Sequence, residues 1–361
     1  MTDGLERAVE LCEALGEIFC LTFVRGLDAR EALTRMGAYP DTFAELSPEE
    51  MYERQSSFDA GYPSLAGAVT RDGWTVCLEP DGFECAGPLL ATVSHGTEAV
   101  SVLRHDYASP RFTYAVDGEE VTGFDPGYPH EFWGTDPGRL TAQLHAVGLG
   151  PIAPADEGPD EPVARAVLLA ATIAGGLPSP DALTGPMLSA QFDPWFTAAR
   201  PSGGSLSPDP FGQRPQRAEL VAAVDAASPE AKRAVAVAEA RRIAGLLRVA
   251  DAPGLADTLA AAEAGRFPGV PVASPLGREV RGWLRYATTA GQSLNDHAGQ
   301  RMTDADRQRG YLFGWFTLAL RGALYPDPDI AVRTALYPLS TGPAPLTDPA
   351  AHAAVVAGLA R

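Results

Sequence analysis

The chain has very little lysine, little cysteine and no long apolar run. Among its 361 residues Lys232 is the only lysine, and 28 basic residues stand against 46 acidic ones, for a net charge of −18. Such an excess of negative charge repels a phosphate backbone. The longest apolar run, 166–177, is shorter than the ~20 residues that cross a bilayer. We therefore expect neither nucleic acid nor membrane among its partners.

The cysteines are too few and too widely spaced for a disulfide framework or a compact zinc site. Cys12, Cys20, Cys77 and Cys85 form no CxxC pair. A zinc site made of Cys77, Cys85 and His95 would need gaps of eight and ten residues, which match no compact zinc spacing. We predict buried free thiols, no metal and no cofactor. The first residues lack the pattern of a signal peptide, so we expect a cytoplasmic location.

Residues 1–150 alternate short strands and helices. Asp28 and Ser47 stand where side chains cap helix N-termini, and Glu50 completes a capping box with Ser47. Apolar runs bounded by turn residues predict strands at 20–26, 73–82, 99–105 and 111–124. The pattern predicts an α+β domain with a mostly antiparallel sheet.

The last of these segments is the clearest hairpin. Asp117 and Gly118 suit its two-residue turn, because both residue types accept a positive φ. A regular register would place Tyr114 opposite Val121, so one face of the hairpin would be apolar and the other more polar.

A change of pattern follows residues 151–162, a stretch rich in proline and acidic residues that predicts a linker. Beyond it, 163–361 predicts an all-α domain with almost no strand signal and a flexible loop at about 200–217. One helix, 229–250, carries an apolar stripe from Ala236 to Ala250 and places Arg233 and Glu239 elsewhere. The predicted helices are 162–175, 180–190, 217–226, 229–250, 253–264, 275–295, 303–325 and 346–360.

The segment SHGTE, 94–98, is the first candidate binding site. Ser94, His95 and Thr97 flank Gly96, which would let backbone N–H groups approach an anion. A polar turn leading into the next strand explains the same residues.

The other candidates are single polar residues. His105 and Asp106 are adjacent on an extended chain and point to opposite faces, so Asp106 cannot orient His105 as in a catalytic dyad. His297 ends a predicted helix, where a capping role explains it equally well. No catalytic residue is identified, and the candidate ligand-binding residues are Ser94, His95, Thr97, His105, Arg111 and His297.

The first 150 residues resemble an uncharacterised domain family common in actinomycete genomes. The resemblance rests on the segments CLTFVRGLDAREALTRMGA, GWTVCLEPDGF, LATVSHGTEAVSVLRH, FTYAVDGEEVTGFDPGYP and WGTDPGRLTAQLHAVGLG. It implies an α+β sheet domain and assigns no activity to any residue, and the helical half is not part of it.

Two functions are compatible with these features. The first, which we favour, is a non-catalytic cytoplasmic protein of the immunity or conflict-system kind, whose acidic surface binds a partner with a basic surface. The alternative is an enzyme of specialised metabolism that acts on a small molecule at the junction of the two halves. It would use His95, His105 or His297 as base and Arg111 to hold an anion.

Overall fold

Two units make up the part of the chain that the computed structural model describes, residues 2–150, 158–207, 215–295 and 301–360. Unit 1 is Met1–Ala199 and unit 2 is Arg200–Arg361. Unit 1 is a sheet with helices on both faces, and the described part of unit 2 from 215 onward is helical. The predicted fold class, an α+β domain followed by a helical half, is confirmed.

One antiparallel sheet contains the nine strands of the described residues, in the order β2-β9-β3-β4-β1-β5-β6-β7-β8. The strands are β1 Ile18–Arg25, β2 Ala44–Leu46, β3 Leu65–Arg71, β4 Trp74–Pro80, β5 Glu98–His105, β6 Arg111–Val116, β7 Glu119–Phe124, β8 Phe132–Trp133 and β9 Met187–Gln191. The central strand β1 is apolar on both faces because both are covered.

The prediction of a helix over 180–190 is wrong in its second half, where the chain forms the strand β9. The helix ends at Thr184, and the next strand begins at Met187. β9 lies between β2 and β3 and joins β2 to the sheet. Unit 1 therefore extends to Ala199, beyond the predicted linker, of which residues 151–157 lie outside the described residues.

The β6–β7 hairpin has the predicted turn but a different register. Asp117 and Gly118 have φ of 48° and 83°, as a type I′ turn requires. The expectation that Tyr114 faces Val121 is wrong, because Tyr114 pairs with Thr122 and a bulge follows it. The extra residue at the bulge, Val121, shifts the rest of the strand by one position.

Seven helices of unit 1 pack on this sheet: α1 Thr2–Leu15, α2 Ala29–Arg35, α3 Pro48–Gln55, α4 Leu89–Val93, α5 Thr141–Val147, α6 Pro162–Ala174 and α7 Pro180–Thr184. Asp28 caps α2, and Ser47 with Glu50 forms the capping box of α3, as predicted.

The two faces of the sheet have different cores. Large side chains such as Phe19, Phe23 and Phe112 fill the face under α1, α3 and α6. The opposite face is built from small residues, among them Cys20, Ala68, Ala99 and Ala115, packed with α2 and α4. Small side chains let these short helices approach the sheet closely.

Unit 2 is described as eight helices: α8 Pro215–Ala226, α9 Pro229–Leu247, α10 Leu255–Glu263, α11 Pro275–Gln292, α12 Asp304–Ala323, α13 Pro328–Ala335, α14 Tyr337–Thr341 and α15 Pro349–Leu359. Its core includes Trp283 of α11, which stacks on Phe313 of α12 with ring centroids 6.0 Å apart. Residues 208–214 of the predicted flexible loop lie outside the described residues. Within the described segments, every helix is too short or too polar to span a membrane.

Candidate functional site

The SHGTE turn lies at the C-terminal end of α4, against the tip of the β6–β7 hairpin. Ser94 is buried, and its Oγ accepts the Gly118 N–H at 3.3 Å. Thr97 Oγ1 donates to the Arg25 carbonyl at 2.8 Å. Both hydroxyls therefore hold neighbouring chain segments together.

The anion at this turn is the chain's own Asp117. Its Oδ1 accepts the Gly96 N–H at 2.8 Å and lies 3.4 Å from His95 Nδ1. The His95 side chain is 80% exposed. The backbone position that the sequence suggested for a bound anion is thus occupied by a carboxylate of the hairpin turn.

A polar cluster beside this turn centres on Glu98. Arg25 Nη1 donates to Glu98 Oε1 at 2.7 Å, and Tyr114 Oη donates to Oε2 at 2.6 Å. Burial raises the pKa of Glu98, but these two donors outweigh it and the pKa is lowered. Burial and the Glu98 carboxylate raise the pKa of Tyr114 to about 12. The Glu98 carboxylate therefore has an ion pair with Arg25 and a hydrogen bond from the neutral Tyr114 phenol.

His105 lies at the opposite end of β5 from the SHGTE turn. His105 is the eighth residue after Thr97, a distance of about 26 Å at the rise of a β-strand. His105 Nδ1 accepts the Tyr107 N–H at 3.3 Å, and Asp106 binds Arg104 at 2.9 Å. The structure therefore does not bring His95 and His105 together.

Arg111 begins β6 opposite Leu103 of β5, two residues from His105, and its side chain contacts residues of β7 and β8. Its Nη2 donates to Glu120 Oε1 at 3.1 Å, and its guanidinium lies 5.1 Å from the Trp133 ring centroid. Trp133 Nε1 donates to the same Glu120 oxygen. His297 lies outside the described residues.

The candidates within the described residues thus lie either at the SHGTE turn or at the other end of β5 and β6, where His105 and Arg111 have different hydrogen-bond partners. In the described ranges, no three His, Cys, Asp or Glu residues are arranged to hold a metal ion.

Sequence reasoning missed the most unusual polar residue of unit 1, Glu79. Only 1% of Glu79 is exposed, and its two oxygens accept the N–H groups of Glu84 and Cys85 at 2.9 and 3.0 Å. Burial raises its pKa, against the lowering effect of these bonds. The signal in the sequence was a single acid in TVCLEP, a segment whose other residues are apolar except Thr75.

Glu84 shares this environment. Burial, followed by the Glu79 and Asp193 carboxylates, raises the pKa of Glu84 to about 7. The Glu84–Ala86 turn is therefore attached to β4 by a buried carboxylate and carries a second acid that titrates near neutrality.

All four cysteines are free and buried, as predicted. Burial raises the pKa of Cys12 and of Cys77 to about 12. Cys20 Sγ lies 3.2 Å from Ser101 Oγ in the small-residue core. These thiols are packing groups and are poor nucleophiles at neutral pH.

The acidic residues are concentrated in unit 1. Residues 1–199 carry 31 acidic and 10 basic residues, a net −21, while 200–361 carry 15 acidic and 18 basic residues, a net +3; together they give −18. The negative charge of the protein is therefore a property of the sheet domain.

An exposed stripe of acids follows α1. Asp3, Glu6, Glu10 and Glu13 recur at intervals of three and four residues, opposite the face that buries Leu11. None of the ion pairs that the structure describes involves these four carboxylates. We call this set the α1 acidic stripe.

The fold and these surfaces define a class of protein: an α+β sheet domain with dispersed polar clusters and an acidic exterior. The chain belongs to the family described as "Family of unknown function (DUF6461)", whose model matches residues 7–190. The match covers the sheet to within one residue of the end of β9 and confirms a family resemblance in the N-terminal part. No curated protein and no solved structure matches the chain.

Proposed function

We propose that this chain is a non-catalytic, cytoplasmic protein-binding protein whose unit 1 binds a partner with a basic surface. In this role it resembles immunity and conflict-system components that mask a target. The low lysine content and the abundance of alanine, glycine and proline support an actinomycete origin.

The observation that carries the proposal is the net charge of −21 on residues 1–199. A unit with three times as many acids as bases attracts basic surfaces over about one Debye length and increases the association rate. The α1 acidic stripe adds four exposed carboxylates that ion pairs within the described residues leave unused. Their charge is available to a partner.

The arrangement of the polar candidates also supports binding over catalysis. Among the described candidates, Ser94, Thr97 and Arg111 make hydrogen bonds within the sheet domain, and the length of β5 separates His95 from His105. A catalytic group needs a base and an orienting partner within hydrogen-bond reach of one reacting atom.

The test is capture of partners from a lysate of the source organism on the immobilised full chain at low and high salt. We expect proteins with basic surfaces to be retained at about 50 mM NaCl and released at about 500 mM, where screening is strong. Recovery of no partner at either salt concentration contradicts the proposal.

A matched pair of variants locates the surface. Glu6→Gln, Glu10→Gln and Glu13→Gln together remove three charges from the α1 acidic stripe. The control, Glu119→Gln, Glu131→Gln and Glu279→Gln, removes three exposed charges elsewhere. We expect the stripe variant to lose at least about fivefold in partner affinity, equivalent to ~1 kcal/mol, and the control to lose less. Equal losses would assign the effect to net charge alone.

A further inference from the structure

Unit 2 contains a groove that the proposed function does not use. It lies between α9 and α15 and has a volume of about 610 Å³. Arg242, near the end of α9, donates to the Leu346 carbonyl just before α15, while Val235 lies against Gly358 near the end of α15. The two helices therefore run in opposite directions along the groove.

Small apolar side chains form the walls of the groove. They come from both helices at helical spacing: Ala231, Ala234, Val235 and Ala238 of α9, and Ala351, Ala354, Val355 and Gly358 of α15. The lining extends from Ser228 to Arg242, or about 21 Å of helix. The length of this trough matches about four turns of another helix, which would lie on it with one face.

The helix α15 is apolar on every side. Its sequence, PAAHAAVVAGL, contains one polar side chain, His352, yet Ala353, Ala354 and Ala357 are exposed. Helices without a polar face are usually covered. The outer side of α15 is thus a surface suited to packing against another apolar face.

The charge of the groove is opposite to that of the unit around it. Unit 2 has a net charge of +3, but the groove lining has three glutamates and one arginine. That arginine, Arg242, is already paired with Glu239 through two 2.7 Å bonds. Glu230 and Glu263 remain at the rim, where Arg241 holds one Glu263 oxygen at 2.7 Å from outside the lining.

We propose that this groove binds an amphipathic helix of a partner protein, with the helix's apolar face on the alanine walls and its basic residues beside Glu230 and Glu263. This is the helix-in-groove mode, in which residues at i, i+3, i+4 and i+7 make the contacts. All residues that line this groove belong to unit 2.

The experiment uses the full chain and a fluorescein-labelled helical peptide of leucine and lysine, about 14 residues long to match the groove. Its control is a peptide of the same composition whose order gives no apolar face. Because unit 1 has a net charge of −21, we expect both peptides to bind it weakly. We expect the amphipathic peptide to bind at least about tenfold more tightly, a difference of ~1.4 kcal/mol, and equal affinities overturn the proposal.

Two pairs of variants place the peptide. In the first pair, Ala238→Trp fills the groove, and its control, Ala256→Trp, adds the same side chain at an exposed site on α10. In the second pair, Glu230→Lys reverses a charge at the rim, and its control, Glu279→Lys, makes the same change on α11. We expect the two groove variants to weaken the amphipathic peptide about fivefold or more and the two controls to change affinity less than twofold. Equal effects of groove variants and controls overturn the proposal.

Hydrogen exchange distinguishes binding of the peptide in the groove from binding to unit 1. We expect the amphipathic peptide to slow exchange in α9 and α15. Protection confined to residues 1–199 contradicts the groove proposal and leaves the function proposed for unit 1 standing. A chain that sediments as a dimer, and becomes a monomer in Ala238→Trp, would show that a second copy occupies the groove, which also overturns the proposal.

Discussion

At the scale of single residues, Glu84 makes stability depend on pH. Burial and the carboxylates of Glu79 and Asp193 raise its pKa from 4.5 to about 7. A carboxyl with a raised pKa in the folded state stabilises the fold fully below pH 4.5, and this contribution is lost as the pH rises through 7. At ~1.4 kcal/mol per pKa unit, reduced for partial exposure, we expect Glu84→Gln to raise the free energy of unfolding at pH 8 by about 1–2 kcal/mol.

Urea denaturation at pH 5 and pH 8 measures this effect. Glu49→Gln, at an exposed position of α3, is the control and should change little at either pH. We expect the difference in stability between pH 5 and pH 8 to become smaller in Glu84→Gln, where Glu79 with its raised pKa is still present. If both variants respond alike at the two pH values, Glu84 does not have the raised pKa.

At the scale of elements, the capping box of α3 is the clearest local determinant. Ser47 Oγ accepts the Glu50 N–H at 3.2 Å, and Glu50 Oε2 accepts the Ser47 N–H at 2.8 Å. We expect Ser47→Ala to lower the free energy of unfolding by about 1 kcal/mol, because the cap of the helix N-terminus is lost. Ser56→Ala, an exposed serine at the other end of α3, is the control. A Ser47→Ala variant as stable as wild type would mean that packing alone holds α3.

Secondary-structure elements could be predicted from the sequence where neighbouring side chains determine the local structure. The caps at Asp28 and Ser47 and the turn at Asp117-Gly118 follow from side chains within three residues of one another. β9 was not predictable, since MLSAQ has no clean alternation and its neighbours in the sheet, β2 and β3, are more than 115 residues earlier in the chain. The predicted hairpin register was wrong because Val121 is the extra residue of a bulge, which the residues of the turn do not specify.

At the scale of the whole molecule, the end of unit 1 determines which fragments fold. The strand β2 pairs only with β9 among the described strands, and α6 packs on the large-residue face of the sheet. We expect a fragment of residues 1–199 to unfold cooperatively in urea. A fragment of residues 1–150 lacks β9 and α6 and should show no cooperative transition. A cooperative 1–150 fragment would place the boundary in the predicted linker instead.

For the candidate site, too, the sequence was sufficient for some properties, and the tertiary structure decided the others. The sequence by itself determined the charge, the absence of a long apolar run and the separation of His105 from Asp106, because these depend on composition or on neighbouring residues. It also indicated free thiols, which the structure confirms as buried.

Only the tertiary structure decided which polar residues are buried. Arg233 and Glu239 were placed outside the apolar stripe of α9, yet both are buried, because Arg233 donates to the carbonyls of Tyr325 and Pro326 and Glu239 binds Arg242. Glu79 likewise depends on N–H groups that a later turn supplies. A charged side chain can be buried only where partners replace its water, and those partners are brought to it by folding.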